Sequence, residues 1–187
     1  MVEHGYHEAT VSQIVEAAGV SRRTFYQYFS SKEECFVDTY RVVEDFVLGE
    51  MRQAGADTDD CASRVRARLQ AGLGVVAANP DLALFLLAAP QSAGGEVLEN
   101  YSTLLRKLRE LLKDGMSPLP EDRRPPEAID DGLAGGIASL IVHGVRAGEG
   151  EEIAARLDEI FELVLTPYVG GAAAAAAVRG RRSMSPR

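Results

Sequence analysis

Apolar residues recur every three or four positions through most of the chain, and glycine and proline fall where this pattern stops. That spacing is typical of amphipathic helices. No stretch alternates apolar and polar residues for long enough to predict a β-strand. The sequence therefore predicts an all-α protein and excludes a parallel sheet.

Local start and stop signals predict the first helices. Thr10-Val-Ser-Gln13 has the form of a capping box, which begins a short helix that Gly19 ends. Ser21 is a favourable N-cap for a second short helix that reaches about Tyr28. Another capping box, Ser31-Lys-Glu-Glu34, begins a long helix. The apolar positions of this long helix are Phe36, Val37, Tyr40, Val43, Phe46 and Val47.

The remainder of the chain predicts further helices separated by glycine and proline. The predicted spans are Cys61 to Ala78, Pro80 to about Ala88, Glu96 to Lys113, Glu127 to Ala147 and Glu151 to Tyr168. The segment 114–126 contains four prolines and is predicted to be a flexible loop. The alanine- and arginine-rich segment 171–187 is predicted to be a frayed helix that passes into a disordered basic tail.

Charge is distributed unevenly along the chain. The formal net charge is −8, which argues against nonspecific binding of nucleic acid by the whole surface. Positions 17–32, however, hold two arginines and one lysine and no acidic residue. Because contact with DNA needs only a local excess of Lys and Arg, this window is the candidate region for it.

Other chemistry is little indicated. Cys35 and Cys61 lack the spacing of a zinc site or a redox pair, so we expect reduced thiols in the cytoplasm. No run approaches the roughly 20 apolar residues of a membrane-spanning helix, and no secretory signal is recognisable. No nucleophile and base occur at a catalytic spacing, and His143 has no metal-binding partner one helical turn away. We therefore expect no enzyme, no cofactor, no metal and no membrane partner.

The segment from Gly5 to Glu34 resembles the TetR family of transcriptional regulators. The resemblance rests on Ala18-Gly-Val-Ser21, Phe25-Tyr-Gln-Tyr-Phe29 and Ser31-Lys-Glu33 at this spacing, and more weakly on Val145–Glu152 and Leu165–Gly170. It implies a helix-turn-helix DNA-binding domain over residues 1–48, with the start of a connecting helix. A helical bundle for ligand sensing and dimerisation would follow over residues 49–170, and the tail over residues 171–187. The implied partners are double-stranded operator DNA, a small-molecule effector and a second copy of the chain, with repression as the default.

The resemblance also implies which residues contact DNA. Those expected to face base edges and the nearby backbone are Arg22, Arg23, Thr24, Tyr26 and Gln27. Those expected to touch phosphates are Thr10, Ser21, Tyr28 and Lys32. Arginine and glutamine suit this role because they pair bidentately with guanine and adenine. Phe25 and Phe29, in contrast, are spaced for packing in a core.

One departure from the family keeps other functions open. A first helix of a dozen or so residues normally precedes Gly5-Tyr6, and only Met1 to His4 precede it here, so the first helix is expected to be truncated. Part of the cover would then be missing from Ile14, Val15, Val20 and Phe25, at about 1–3 kcal/mol for each large side chain exposed. The main alternative is a helical protein-interaction or ligand-binding module that does not bind DNA. A small all-α enzyme is a further one.

The bundle helices supply a candidate ligand pocket. Its lining is expected to come from inward-facing residues, namely Leu69, Leu73, Val76, Phe85, Leu105, Leu108 and Ile137. A sensor would show an apolar cavity of a few hundred Å³ between these helices, on the order of known ligand sites. Ordinary core packing produces the same apolar stripe.

Glycines within one predicted helix indicate a candidate dimer interface. Gly132, Gly135, Gly136 and Gly144 each cost roughly 1 kcal/mol relative to alanine, so a close approach of another backbone should offset them. The interface is expected to contain Gly136, Ser139, Leu140, His143 and Ala147, with Ile160, Val164 and Leu165 from the next helix. The alternative is that the glycines make room for a neighbour within one subunit.

Overall fold

The computed structural model describes residues 5–58, 60–93, 95–116, 120–121 and 124–182, and throughout this part every regular element is a helix. The all-α prediction is therefore confirmed. The helices are α1 (Gly5–Glu8), α2 (Val11–Ala18), α3 (Arg22–Tyr28), α4 (Lys32–Ala54), α5 (Cys61–Ala78), α6 (Pro80–Leu87), α7 (Ala89–Ala93), α8 (Gly95–Gly115), α9 (Glu127–Arg146), α10 (Leu157–Val169) and α11 (Gly171–Arg182), and a 3₁₀ helix (Glu151–Arg156) precedes α10.

The caps that the sequence predicts hold α2 and α3 in place. The Thr10 hydroxyl accepts a hydrogen bond from the Gln13 amide at 3.3 Å, and the Gln13 side chain accepts one from the Thr10 amide at 2.8 Å. Gly19 ends α2 with a φ of 66°, a left-handed conformation that favours glycine. Ser21 begins α3 by accepting a hydrogen bond from the Thr24 amide at 3.0 Å. The predicted helix-turn-helix is confirmed.

The start of α4 differs in one detail from the predicted capping box. The Ser31 hydroxyl accepts a hydrogen bond from the Glu34 amide at 3.1 Å, as expected. The Glu34 carboxylate instead accepts hydrogen bonds from Ser30, 2.6 Å from its backbone nitrogen. This carboxylate therefore caps the turn before the helix, and these hydrogen bonds lower the pKa of Glu34.

The helix α4 belongs mostly to the large core of the molecule. Phe36 and Tyr40 are completely buried, and Leu48 and Met51 lie in the same core. Phe46, one of the apolar positions of this helix, is 54% exposed. It lies on the face of α4 that turns away from α5 and α8, the two long helices against which α4 packs.

The helix-turn-helix has a small core of its own. Val15, Phe25 and Cys35 are buried together, and Phe29 packs against them at the edge of this cluster. The core roles of Phe25 and Phe29 are thus confirmed. Val15 and Phe25 keep their cover, whereas Val20 is 42% exposed. The expected loss of cover is therefore not found at Val15 or Phe25.

A short helix replaces the break predicted between α6 and α8. α7 begins at Ala89 and contains Pro90 at its second position. Proline is tolerated there because the amide nitrogens of the first turn have no partner within a helix. α7 packs against α1, so the start of the chain contacts the body at this point.

The C-terminal segment also differs from the predicted tail. Residues Gly171–Arg182 form α11, which packs against α10. Ala174 and Val178, one helical turn apart, are 0% and 7% exposed. The alanine run has the highest helix propensity and presents a flat stripe to α10, which accounts for the ordered helix. Residues 183–187 lie outside the described part of the chain.

Candidate nucleic-acid interface and ligand cavity

The outer face of α3 carries the candidate base-reading residues. Arg22, Arg23 and Gln27 are exposed, and Tyr26 is 55% exposed. In the described part of the chain neither arginine forms an ion pair, so both guanidinium groups remain available to a ligand. The opposite side of α3 is anchored by Phe25 in the small core. α3 is therefore a rigid helix with polar donors on one side.

The candidate phosphate contacts differ from one another in their surroundings. The Thr10 and Ser21 hydroxyls act as caps at the surface, and Ser21 also lies 2.9 Å from the hydroxyl of Thr24. Tyr28 is 75% exposed at the end of α3. Thr24 is half-buried, so its position at the start of α3 is fixed by the cap. Ser21, Thr24 and Tyr28 thus lie on α3 or at its start, and Thr10 lies at the start of α2.

Lys32 has a second role that the sequence does not predict. Its Nζ donates a hydrogen bond to the backbone oxygen of Tyr6 at 3.0 Å and lies 4.6 Å from the centre of the Tyr6 ring. The Tyr6 hydroxyl donates to the Glu33 carboxylate at 3.0 Å. Burial, together with this carboxylate, raises the pKa of Tyr6 to about 12. Lys32 therefore helps to attach α1 to α4.

A cluster of aromatic rings connects this attachment to the body of the protein. The Tyr6 ring meets Phe36 edge-on at 5.1 Å, and Phe36 packs against Phe85 of α6 at 4.9 Å. The Tyr40 hydroxyl donates a buried hydrogen bond of 2.9 Å to the backbone oxygen of Leu86. Helical periodicity predicts Tyr40 as an apolar position of α4, but it predicts neither the hydrogen bond of Tyr40 nor the contacts of Tyr6. The reason is that periodicity within one helix does not show which helices meet.

An apolar cavity lies next to this cluster, between α4, α5, α6, α8 and α9. Five residues of the predicted pocket line it, and they are Leu69, Leu73, Val76, Leu108 and Ile137. Phe85 and Leu105 do not line it, because Phe85 belongs to the aromatic cluster and Leu105 packs half-buried against the core. Five of the seven predicted pocket residues therefore line this cavity and two do not, and their contact with a ligand stays a prediction.

The volume of the cavity is smaller than the volume expected for a sensor. It holds about 80 Å³, against a few hundred Å³. Met51 takes up space at one end, where a side-chain carbon added to Gly72 would lie 3.0 Å from the Met51 sulfur. Methionine is flexible enough to move aside, so this end is the easiest to enlarge.

The glycines of α9 fall into two groups. A side-chain carbon added to Gly132, Gly135 or Gly136 would meet nothing within 4 Å. The same atom on Gly144 would lie 3.2 Å from the Ile153 side chain. Making room within the subunit therefore accounts for Gly144 alone, and the other three glycines lie on an open face.

Three residues of the predicted dimer interface are placed wrongly. Ile160, Val164 and Leu165 are at most 1% exposed within their own subunit, because they form the face of α10 that packs on the large core. They are not available to a partner. Leu163 and Val169, at 43% and 39% exposed, are the large apolar residues on the outer face of α10. Gly136, Ser139, Leu140, His143 and Ala147 are exposed or half-buried along α9.

Comparison with known proteins gives a local match and a global one. Residues 1–39 match the family model of bacterial regulatory proteins, tetR family. The HTH-type transcriptional activator FasR of Mycolicibacterium smegmatis is 39% identical over 70 residues, which are 37% of this chain and 32% of that protein. The chain thus matches about a third of the length of this relative.

Two solved structures share the fold over most of the chain. FadR from Bacillus halodurans, a fatty acid degradation regulator, has a TM-score of 0.76 at 22% identity, covering 88% of each chain. FadR from Bacillus subtilis, solved with stearoyl-CoA, has a TM-score of 0.70 at 18% identity, covering 90% of this chain and 92% of that one. The sequence match is local to the N-terminal residues, and at these identities the two solved structures show that this chain shares their fold.

Proposed function

We propose that the protein is a homodimeric, DNA-binding transcriptional repressor that a small-molecule effector releases from its operator. The observation that carries this proposal is the outer face of α3. Arg22, Arg23 and Gln27 lie exposed on a short helix whose start is capped and whose other side is packed. A helix of this kind enters the major groove, where such side chains distinguish base pairs.

The alternative, a helical module without DNA binding, depended on damage from the short first helix. Val15 and Phe25 are buried, so the helix pair retains its core. Tyr6 of α1 is 5% exposed and packs on Phe36. These contacts favour a working helix-turn-helix over the alternative.

Binding to an operator requires two recognition helices at a fixed distance. Half-sites of such dimers are about 34–36 Å apart, or multiples of this, so that both helices enter the major groove from one side. We assign the dimer contact to the open glycine face of α9, where close approach of a second copy offsets the cost of Gly132 and Gly136 in a helix. Leu163 and Val169 of α10 add exposed apolar surface beside it.

The effector we propose is a long-chain fatty acyl compound. The cavity is apolar, and the B. subtilis structure of the same fold contains stearoyl-CoA. A cavity of about 80 Å³ lies well below the roughly 300–1,000 Å³ of small-molecule sites, so a ligand must separate the surrounding helices as it enters. A ligand that binds only the expanded state shifts the protein towards that state.

The aromatic cluster offers a route from this expansion to the DNA. Leu86 lines the cavity, and its backbone oxygen is held by Tyr40 of α4. Movement of α6 therefore pulls on α4, which runs directly from the helix-turn-helix. A small change in the direction of α4 alters the separation of the two recognition helices and prevents them from binding together.

The test combines operator selection with effector addition. Duplexes selected from a random pool by the full chain are measured by fluorescence anisotropy at a stated salt concentration, since phosphate contacts make the affinity salt-dependent. We expect a palindromic site bound at least about a thousandfold more tightly than random DNA. Stearoyl-CoA should release it. Binding without sequence preference would support the alternative module, and a selected site that no acyl compound releases would contradict the effector.

A further inference from the structure

A polar groove of about 440 Å³ opens at the surface between α6, α7, α8 and α9. Its polar lining consists of Gln91, Tyr101, Ser139 and Arg146, and its lining includes Ala88 and Ala138. The volume lies within the range of small-molecule sites. None of its described lining residues is acidic, in contrast to a chain whose net charge is −8.

This groove adjoins the apolar cavity. Ala138 lines both spaces. On α6 the cavity-lining Leu87 is followed directly by Ala88 in the groove, and on α8 the cavity-lining Leu104 lies one helical turn from Tyr101 in the groove. Three helices therefore contribute neighbouring residues to both spaces. Among the described lining residues, the two spaces share Ala138, whose side chain is a single methyl group.

The polar side chains of the groove are free to bind a ligand. In the part of the chain that the structure describes, Tyr101, Ser139 and Arg146 make no hydrogen bond or ion pair. Gln91 donates to the Leu87 backbone oxygen at 2.5 Å and keeps its own side-chain oxygen. Partial burial raises the pKa of Tyr101, so its hydroxyl stays a hydrogen-bond donor at neutral pH. One cation and two hydroxyl groups thus face the same space.

We propose that this groove binds the anionic head group of the effector, with Arg146 as the charged contact, while the apolar chain passes Ala138 into the cavity. The proposal rests on the proposed function, since it describes the ligand that opens the cavity. The chemistry recognised is a long alkyl chain joined to an anion. A carboxylate of a free fatty acid and the phosphates of an acyl-CoA both supply this anion, and both accept the paired hydrogen bonds of a guanidinium group.

The position of the groove on α9 explains how a head group could affect the dimer. At about 100° per residue, Arg146 projects between the cavity face, which contains Ile141, and the open glycine face, which contains Gly136. Ser139 lies at the border between groove and glycine face. A head group bound here would sit beside the proposed dimer contact.

The experiment measures ligand affinity by titration calorimetry with the full chain. The four compounds are stearoyl-CoA, stearate, the uncharged stearyl alcohol, and CoA without an acyl chain. The variant is Arg146→Gln, and the matched control is Arg52→Gln, which removes another exposed arginine from the last turn of a long helix, away from the groove. Thermal unfolding and operator affinity without ligand should be unchanged in both variants.

We expect Arg146→Gln to lower the affinity for the anionic acyl ligand at least tenfold and to leave the affinity for the alcohol unchanged. Arg52→Gln should change neither affinity. The compound that loses more, stearate or stearoyl-CoA, identifies the source of the anion. Tyr101→Phe should weaken the same ligand severalfold. Equal losses for the alcohol and the anionic ligands, or no loss for any, would overturn the head-group site while leaving the effector proposal intact. If the unsubstituted chain binds none of the acyl compounds, both proposals fail, although operator binding would still stand.

Discussion

The helix-turn-helix and the helical body of this protein are built from the same kind of element but differ in how they pack. α2 and α3 are short, capped by their own side chains, and packed on three buried residues, Val15, Phe25 and Cys35. The body buries residues from α4 to α11 in one large core. Its candidate site is an internal space, whereas that of α3 is an outer face.

This difference in packing explains why any movement in one region would reach the other through few contacts. A small region with its own core can move as one unit, because its internal packing does not depend on the body. Its connections to the body in the described structure include α4, the Tyr6 contacts and the neighbourhood of Phe36. In the proposed mechanism, a change at the cavity would reorient the outer face of α3 without reshaping it.

The largest expected effect concerns α3. Replacing Arg22, Arg23 and Gln27 together by alanine should weaken operator binding by at least about a hundredfold, since each specific base contact contributes about 1–3 kcal/mol. The unfolding temperature and the affinity for the acyl ligand should stay unchanged, because all three side chains are exposed. Fluorescence anisotropy on specific and random duplexes measures the effect. An unchanged preference for the operator would show that α3 does not read the bases.

Lys32 gives a contrast within the same region. Lys32→Ala should weaken binding to every sequence and also lower the unfolding temperature, because its Nζ is held at the Tyr6 backbone oxygen. A loss of DNA affinity without any loss of stability would mean that the Tyr6 contact contributes nothing in solution.

The second effect concerns the open glycine face. Gly136→Glu should shift the protein from dimer to monomer and weaken operator binding about tenfold or more, because two like charges would face each other across a two-fold axis. Light scattering at micromolar concentration measures the change. Gly74→Glu is the control, because Gly74 is an exposed glycine of α5 where an added side-chain carbon also meets nothing within 4 Å. A dimer that tolerates Gly136→Glu would exclude this face.

The third effect concerns the cavity. Ala83 is 3% exposed and lines it, so Ala83→Val adds two methyl groups to a space of about 80 Å³. We expect the free energy of unfolding to rise by up to about 1 kcal/mol, as in other cavity-filling changes. The affinity for the acyl ligand should fall about tenfold. Ala128→Val is the control, because it replaces alanine by the same β-branched residue, with the same loss of helix propensity, at an exposed site. Unchanged ligand affinity in Ala83→Val, measured by calorimetry, would place the ligand elsewhere.

The smallest effect tests the connection between the regions. Tyr40→Phe removes the hydrogen bond to Leu86 and should destabilise the fold by about 1–3 kcal/mol, because a buried carbonyl loses its partner. The acyl ligand should then release operator DNA severalfold less effectively. Tyr168→Phe is the control, since it removes a different buried hydroxyl contact, to Asp130. Equal losses of response in both variants would reduce the role of Tyr40 to stability alone.

Local sequence determined most of the helix-turn-helix. Thr10, Gly19 and Ser21 set the ends of α2 and α3 through contacts with neighbours three residues away, so their effect does not depend on the rest of the fold. The exposure of Arg23 and Gln27 and the burial of Phe25 follow from helical spacing. Helical spacing does not distinguish the exposed Phe46 from the buried apolar residues of α4. Periodicity shows on which side of a helix a residue lies, but it does not show how much of that side the neighbouring helices cover.

Tertiary structure decided everything that depends on which helices meet. An apolar stripe shows that a helix is packed, but Val164 in the core and Leu163 at the surface have the same character in sequence. Sequence alone therefore does not separate Ile160, Val164 and Leu165, which their own subunit covers, from residues that face a partner. Three further features depend on residues that are far apart in the chain. They are the volume of the cavity, the hydrogen bond from Tyr40 to Leu86, and the position of Ala138 between groove and cavity. Capping and helical spacing act within one turn and can be read from neighbours, whereas packing depends on the three-dimensional arrangement of distant helices.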